Sequence, residues 1–446
     1  MIQEIAELIR ATAWVDTHEH LWDESTRLRL SAEGKFPSDF SAFFFGYPTS
    51  DLLSAGLPAE CHQRLFSPVV DVATKWRDIE PYYKPTWHTG YMRNVRASIH
   101  ALTGEDEIDG SNCGRISEAL AKLLQPGHYR QVLRTISNIE YCQVASLEAH
   151  VFHETESPDL LCQDFHFDPL CLEKSFVPGD VMMDLAQAAS REPSDLSAWY
   201  EIIEWHFARF APRAIALKHA SAYQRRLDYE PVSSEAAAPL FDRYRRDPSA
   251  LSDEERKALH DHLFHFCVRQ AVDYNLPIKM HTGYHAGVFG MPLRRVQHNL
   301  SDLCPVFQLH PDARFVLFHM GFPYQHEAMA LAKHYPNVFI DLSWAWIISP
   351  SATGRFVKEF LVSAPATKLL CFGGDYWNLE GVPGHAVIAR QGLARSLSEL
   401  VQEAWIDNSE VSGMIRQLMR DNPYALFDYQ GRSRNWSLAT AIPQVS

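Results

Sequence analysis

The sequence predicts an α/β protein, a (β/α)8 barrel with a large helical insertion after its first strand. Three observations lead there. Short runs rich in β-branched and aromatic residues alternate with helix-like stretches through the second half of the chain, the pattern of βαβ units and a parallel sheet. Eight such runs can be found in all, the number a closed parallel barrel needs. The first run ends near residue 20 and the second begins near 139, a gap far longer than one crossover helix requires.

Taken in order, the expected strands are AWVDTH (13–18), IEYCQVAS (139–146), DFHFDPL (164–170) and RAIALK (213–218). LPIKMH (276–281), ARFVLFH (313–319), NVFIDLS (337–343) and KLLCFGGD (368–375) complete the set. Residues 1–20 and 135–446 then form the barrel. Residues 21–134 carry helix-like pieces (SDFSAFFFGYPTSDLLSAG, TGYMRNVRASIHALTG) and are expected to be a mainly helical insertion capping the barrel mouth.

A chain of 446 residues with 46% hydrophobic and 22% charged residues can bury a sizeable core. Its formal charge of −14 argues against nucleic acid or an anionic membrane as the main partner and leaves a small-molecule substrate. The start MIQEIAELIRATAW has helical spacing and acids where a signal peptide would have basic residues, and no later run reaches transmembrane length. Eight cysteines are scattered without CxxC spacing, so reduced thiols and a cytoplasmic location are expected. Self-association into a homo-oligomer is left open by the composition.

Chemistry is expected where strands end. In WVDTHEHL, His18 and His20 lie two apart, so on a strand their rings share one face. Lys218, His281, His319 and Asp375 each end a later strand, and the C-terminal ends of a parallel barrel open onto one rim. Imidazole and carboxylate together suit zinc first, with iron or manganese as alternatives. Such an ion lowers the pKa of bound water from about 15.7 to about 7. Asp375 is assigned the proton-transfer role beside that water. Lys218, a cation, is either displaced from the ion or converted to an anionic carbamate. A single strand-end histidine in a chain with 22 of them means little; the joint pattern carries the metal-site reading.

At these residues the chain resembles the amidohydrolase superfamily, and within it the amidohydrolase-related branch of FluG and nodulin N-terminal domains, near uronate isomerase. SDLLSAGLP, HTGYMRNVR, LPIKMHTGY, FVLFHMGFPYQHEAMALAKHYPNVFIDLSW and LLCFGGD carry the likeness. The resemblance implies a metal on His18, His20 and Asp375. In its two-metal form Lys218, as carbamate, bridges to a second ion on His281 and His319. In its one-metal form His281 completes the first shell, and His319 orients or activates the water. The chain departs from the branch at Gly374, where serine is usual, at His285, where glycine is usual, and at Gln224, where arginine is usual.

Aromatic residues crowd the expected βα loops. Tyr284, Trp344, Trp346 and Trp377, with His285, are expected to line a site for a bulky or ring-containing ligand, while FFFGY (43–47) reads more as packing. Phe289, Phe322, Tyr324 and Tyr376 lie in the same loops. The expected activity is metal-dependent hydrolysis of a carboxylic-acid derivative (amide, ester, lactone or thioester) with Asp375 and His319 as catalytic residues. Decarboxylation of an aromatic acid, or uronate isomerisation, is the alternative. A non-catalytic barrel is a third, disfavoured by the intact donor set.

Overall fold

The computed structural model describes residues 2–173, 177–287, 293–428 and 431. Nine strands occur among them: β1 (Trp14–Glu19), β2 (Ile139–Val144), β3 (Leu161–Gln163), β4 (Phe165–His166), β5 (Leu217–His219), β6 (Ile278–Met280), β7 (Phe315–Leu317), β8 (Val338–Asp341) and β9 (Leu369–Leu370). Every expected run contains strand; the third supplies β4, and β3 just before it was not expected. The chain divides into two compact units that interleave in sequence.

The first unit comprises Met1–Val144, His285–Met291 and Asp341–Pro423. Here β1 pairs in parallel with β2, Trp14 opposite Ile139 and Asp16 opposite Cys142. All six residues of β1 are buried, which is why its sequence shows no clean polar alternation. On its other side Thr17 donates its amide to Phe372 O at 3.0 Å, and Leu342 N donates to Leu370 O at 2.9 Å. Residues 21–134 hold helices and no strand among the described residues. They bury their own apolar cluster, in which Phe40, Phe43 and Phe44 meet Trp76, Ile79 and Tyr83.

The helix Gly90–Thr103 shows how such a segment is specified. Thr89 caps its start by accepting from Met92 N, and Gly104 ends it in the left-handed region that glycine adopts without strain. Its buried residues Met92, Val95 and Ile99 recur at helical spacing. It packs on the helix Val382–Gln402, where a Cβ on Gly384 would lie 2.3 Å from Asn94 O. Only glycine permits that approach.

The second unit comprises Ala145–Tyr284, Pro292–Ile340 and Tyr424–Ser446. Strands β4 to β8 are parallel and in one register, so that Phe165, Leu217, Ile278, Phe315 and Val338 form a row. The next row places His166, Lys218 and Lys279 side by side. Two neighbouring amines would repel, but Lys279 Nζ lies 2.7 and 2.8 Å from the Asp164 carboxylate, both residues being fully buried.

Away from those strands, this unit has a cavity of about 570 Å³ lined by His262, His265, Arg269 and His310 among others. His265 Nδ1 and His310 Nε2 are 2.8 Å apart, so one ring donates and the other accepts. Burial, helped by the charges of His265 and Arg269, holds His310 down at about 4. A base held below its ordinary 6.5 adds stability above pH 6.5 that is lost as pH falls towards 4. His310→Gln is expected to remove about 1 kcal/mol of that acid-side loss, after allowance for the ring's partial exposure. Urea midpoints measured between pH 7 and 4.5 check this; an unchanged slope would acquit His310.

All eight cysteines are free thiols. No described helix is long and apolar enough to cross a membrane.

Candidate metal centre

In the first unit β1 and the residue just after it deliver His18 and His20 to one carboxylate. His18 Nε2 lies 3.1 Å and His20 Nε2 3.3 Å from Asp375 Oδ1. The two rings are nearly perpendicular, with centroids 4.7 Å apart. His18 is fully buried and Asp375 is 4% exposed. Bonds of about 2.0–2.1 Å meeting at a tetrahedral angle place donor atoms about 3.3 Å apart, so this trio fits one divalent ion. Among the described residues it is one of two groups of three such donors.

The turn that carries Asp375 is tied on every side. Asp375 has a φ of +63°, a conformation that costs a non-glycine residue energy and so must be imposed by its surroundings. Asp375 N donates to His18 O at 2.9 Å, and His20 N donates to Tyr376 O at 2.8 Å. Tyr47, the last residue of FFFGY, donates its hydroxyl to Asp375 O at 2.6 Å. The helix Gly90–Thr103 adds Asn94, whose side-chain amide donates to Tyr376 Oη at 2.6 Å.

Behind the histidines stand two further acids. Asp16 Oδ1 accepts from His18 N at 3.1 Å, and Glu19 Oε2 accepts from Tyr376 N at 2.6 Å. Burial pushes Asp16 up to about 7 against the hydrogen bond it shares with Glu19, and burial together with the Asp16 charge pushes Glu19 well above the carboxylate range. The Glu19 carboxyl also accounts for Gly374. A Cβ there would lie 1.9 Å from Glu19 Oε1, so Glu19 fills the space that a serine would need. Gly374→Ala is expected to destabilise the fold by about 1–3 kcal/mol and to weaken metal retention. Chelator competition and thermal melts check it; wild-type values in both would show that Glu19 moves aside freely.

In the second unit His281 Nδ1 and His319 Nε2 are 3.1 Å apart, and His281 Nε2 is 3.1 Å from Tyr284 O. His319 and Met320 both take positive φ, 59° and 47°. Lys218 is buried with its Nζ 3.9 Å from the centre of the Phe318 ring. The Tyr223 ring packs 4.4 Å from His281.

Comparison with known proteins bears on the family likeness and the fold. The family model described as Amidohydrolase matches residues 251–428. The protein FluG of Emericella nidulans is 26% identical over 210 residues, which are 43% of this chain and 23% of that protein. The chain thus matches less than a quarter of the length of that curated relative. A crystal structure described as a metal-dependent hydrolase of Lactobacillus casei superposes with a TM-score of 0.65 at 16% identity, covering 96% of this chain and 98% of that one. Glucuronate isomerase of Caulobacter crescentus superposes with a TM-score of 0.77 at 17% identity, covering 96% and 93%. The chain is thus similar to amidohydrolases over residues 251–428 and shares its fold with these two solved structures. Its fold class is the expected (β/α)8 barrel, with a high helix content.

The aromatic residues near these donors are used unequally. Trp377 stacks on His20 with centroids 5.7 Å apart and is half-buried, so it borders the metal centre. Trp344 is buried in a stack on Tyr47 at 4.5 Å. Trp346 donates its indole N–H to Cys371 O at 2.9 Å, and its ring fills the space beside Gly392; this placement gives it a packing role. His285 is buried and Tyr284 half-buried. Phe289 lies outside the described residues.

Sequence reasoning passed over Tyr47, Glu19 and Tyr223. Tyr47 sat in a run read as packing, which is true of Phe43 and Phe44. Glu19 had one available signal, its place between two histidines on the opposite strand face.

Proposed function

We propose that this protein is a metal-dependent hydrolase of a carboxylic-acid derivative, an amide, ester, lactone or thioester of a bulky or aromatic small molecule. The observation that carries this is the convergence of two imidazole nitrogens on one carboxylate oxygen within 3.3 Å. A divalent ion held there, zinc by donor set, supplies Lewis acidity and a water acidic enough to react at neutral pH. Asp375, touching both rings through Oδ1, is placed to take a proton at its second carboxylate oxygen and pass it to the leaving group. Trp377 against His20 offers an apolar wall for a ring-bearing substrate.

His281 and His319, already in contact, hold a second ion in the two-metal form, with Lys218 as a carbamate. In the one-metal form His319 orients water. Growth in 13C-bicarbonate followed by carbon NMR separates the two: a carbamate signal absent from Lys218→Met supports the first, and its absence from wild type retires it.

Isomerisation of a sugar acid is the second reading, supported by the likeness in fold to glucuronate isomerase over 96% of this chain. The deciding experiment incubates metal-loaded protein separately with aryl esters, lactones, anilides, aromatic acids and uronates, with proton NMR as readout. Hydrolysis products support the leading reading. Ketose formation from a uronate replaces it with isomerisation, and carbon dioxide from an aromatic acid with decarboxylation. No turnover of any, with metal bound, favours a binding protein.

A further inference from the structure

A second meeting of donors lies in the second unit. Asp168 follows β4, Glu173 follows the turn Pro169–Cys171, and His219 ends β5. One donor atom from each lies within 4.8 Å of the others. The three are 7%, 2% and 1% exposed, so the space is dry.

The surroundings hold these donors in place and leave charge uncompensated. His219 Nε2 contacts the Tyr229 hydroxyl, which turns Nδ1 towards Asp168. Asp168 Oδ2 accepts from Ala220 N at 2.9 Å, and Oδ1 accepts from the Ser221 hydroxyl at 3.3 Å. Glu173 Oε1 lies 3.5 Å from Arg225 and 4.0 Å from His260, while Glu173 Oε2 is buried with no hydrogen-bond partner. Arg225 also binds Asp261, which Lys257 contacts at 2.6 Å. Four carboxylates, Asp168, Glu173, Asp261 and Asp228, therefore face two permanent cations, Arg225 and Lys257, and three imidazoles, His166, His219 and His260. Burial pushes Glu173 up to about 7 in spite of His219 and Arg225. An unpaired buried charge is costly, and a cation removes that cost.

We propose that Asp168, Glu173 and His219 form a second, structural binding site for a divalent cation of the zinc–manganese class. Two carboxylates and one imidazole are a donor set such ions accept. The Tyr229 contact to the far nitrogen of His219 and the Ala220 and Ser221 contacts to Asp168 are the outer interactions that orient ligands around an ion. Bound there, the ion ties the end of β4 to the end of β5. It is separate from the reaction assigned to His18, His20 and Asp375.

The test is metal stoichiometry of the full chain reconstituted with zinc, measured by elemental analysis for wild type and Glu173→Gln. The variant is expected to hold one equivalent fewer, and the same decrement is expected in a His18→Ala/His20→Ala background. Equal zinc content with and without Glu173→Gln in both backgrounds overturns the site. Should Glu173→Gln fail to fold, an anomalous difference map of zinc-loaded wild-type crystals decides. A peak touching all three donors supports the proposal, and none there overturns it. The peak at His18, His20 and Asp375 is scored separately, so failure of that centre is distinguishable from failure of this one.

Discussion

Asp375→Asn is expected to leave the protein folded and to lower turnover by about 10²–10⁴-fold, the range a positioned acid–base group contributes. The amide keeps the size of the carboxylate but carries no negative charge and cannot take a proton. Both histidines that converge on Oδ1 then lose their anionic partner, so metal retention falls as well. Circular dichroism, elemental analysis and kcat on the best substrate of the panel check the three parts. Near-normal kcat with metal bound would remove Asp375 from the reaction.

The largest stability effect is expected at Lys279. This amine and the Asp164 carboxylate are both fully buried, at 2.7 and 2.8 Å. Burial raises Asp164, and the attraction of Lys279 is the largest influence opposing it. Lys279→Met removes that influence and leaves a carboxylate in a dry interior, which costs about 3–5 kcal/mol. The double change Lys279→Met/Asp164→Leu, removing both charges, is expected to cost far less. Urea unfolding of the two variants checks the comparison. A loss below about 1 kcal/mol for the single variant would mean that water reaches Asp164.

Much of the fold could be read from local pattern, because buried parallel strands are short β-branched and aromatic runs. Their ends could not, for the same reason. A strand buried on both faces lacks the alternation that marks where pairing stops. RAIALK was expected to pair over 213–218, whereas β5 is Leu217–His219; DFHFDPL supplies only the two residues of β4. The His18–His20 pair was legible because two-residue spacing sets a shared face without tertiary information, and Asp375 because it closes the last apolar run. Glu19, Tyr47 and the group of Asp168, Glu173 and His219 were not legible. Each takes its meaning from a neighbour remote in sequence, and His219 alone resembles any loop histidine. Gly374 is the instructive middle case. Its departure from serine could be seen in the sequence, but its cause, the Glu19 carboxyl pressed against it, needed the structure.

The bond from the Thr17 hydroxyl to Phe372 O joins residues 355 positions apart. During synthesis the HxH segment therefore leaves the ribosome long before the stretch bearing its carboxylate is made. Closing so large a loop is slow and comes late in assembly. Until then the nascent chain exposes two imidazoles that can hold an ion only loosely. An ion on His18, His20 and Asp375 would thus await completion of the chain, and a product truncated before residue 375 is expected to lack the carboxylate of that trio.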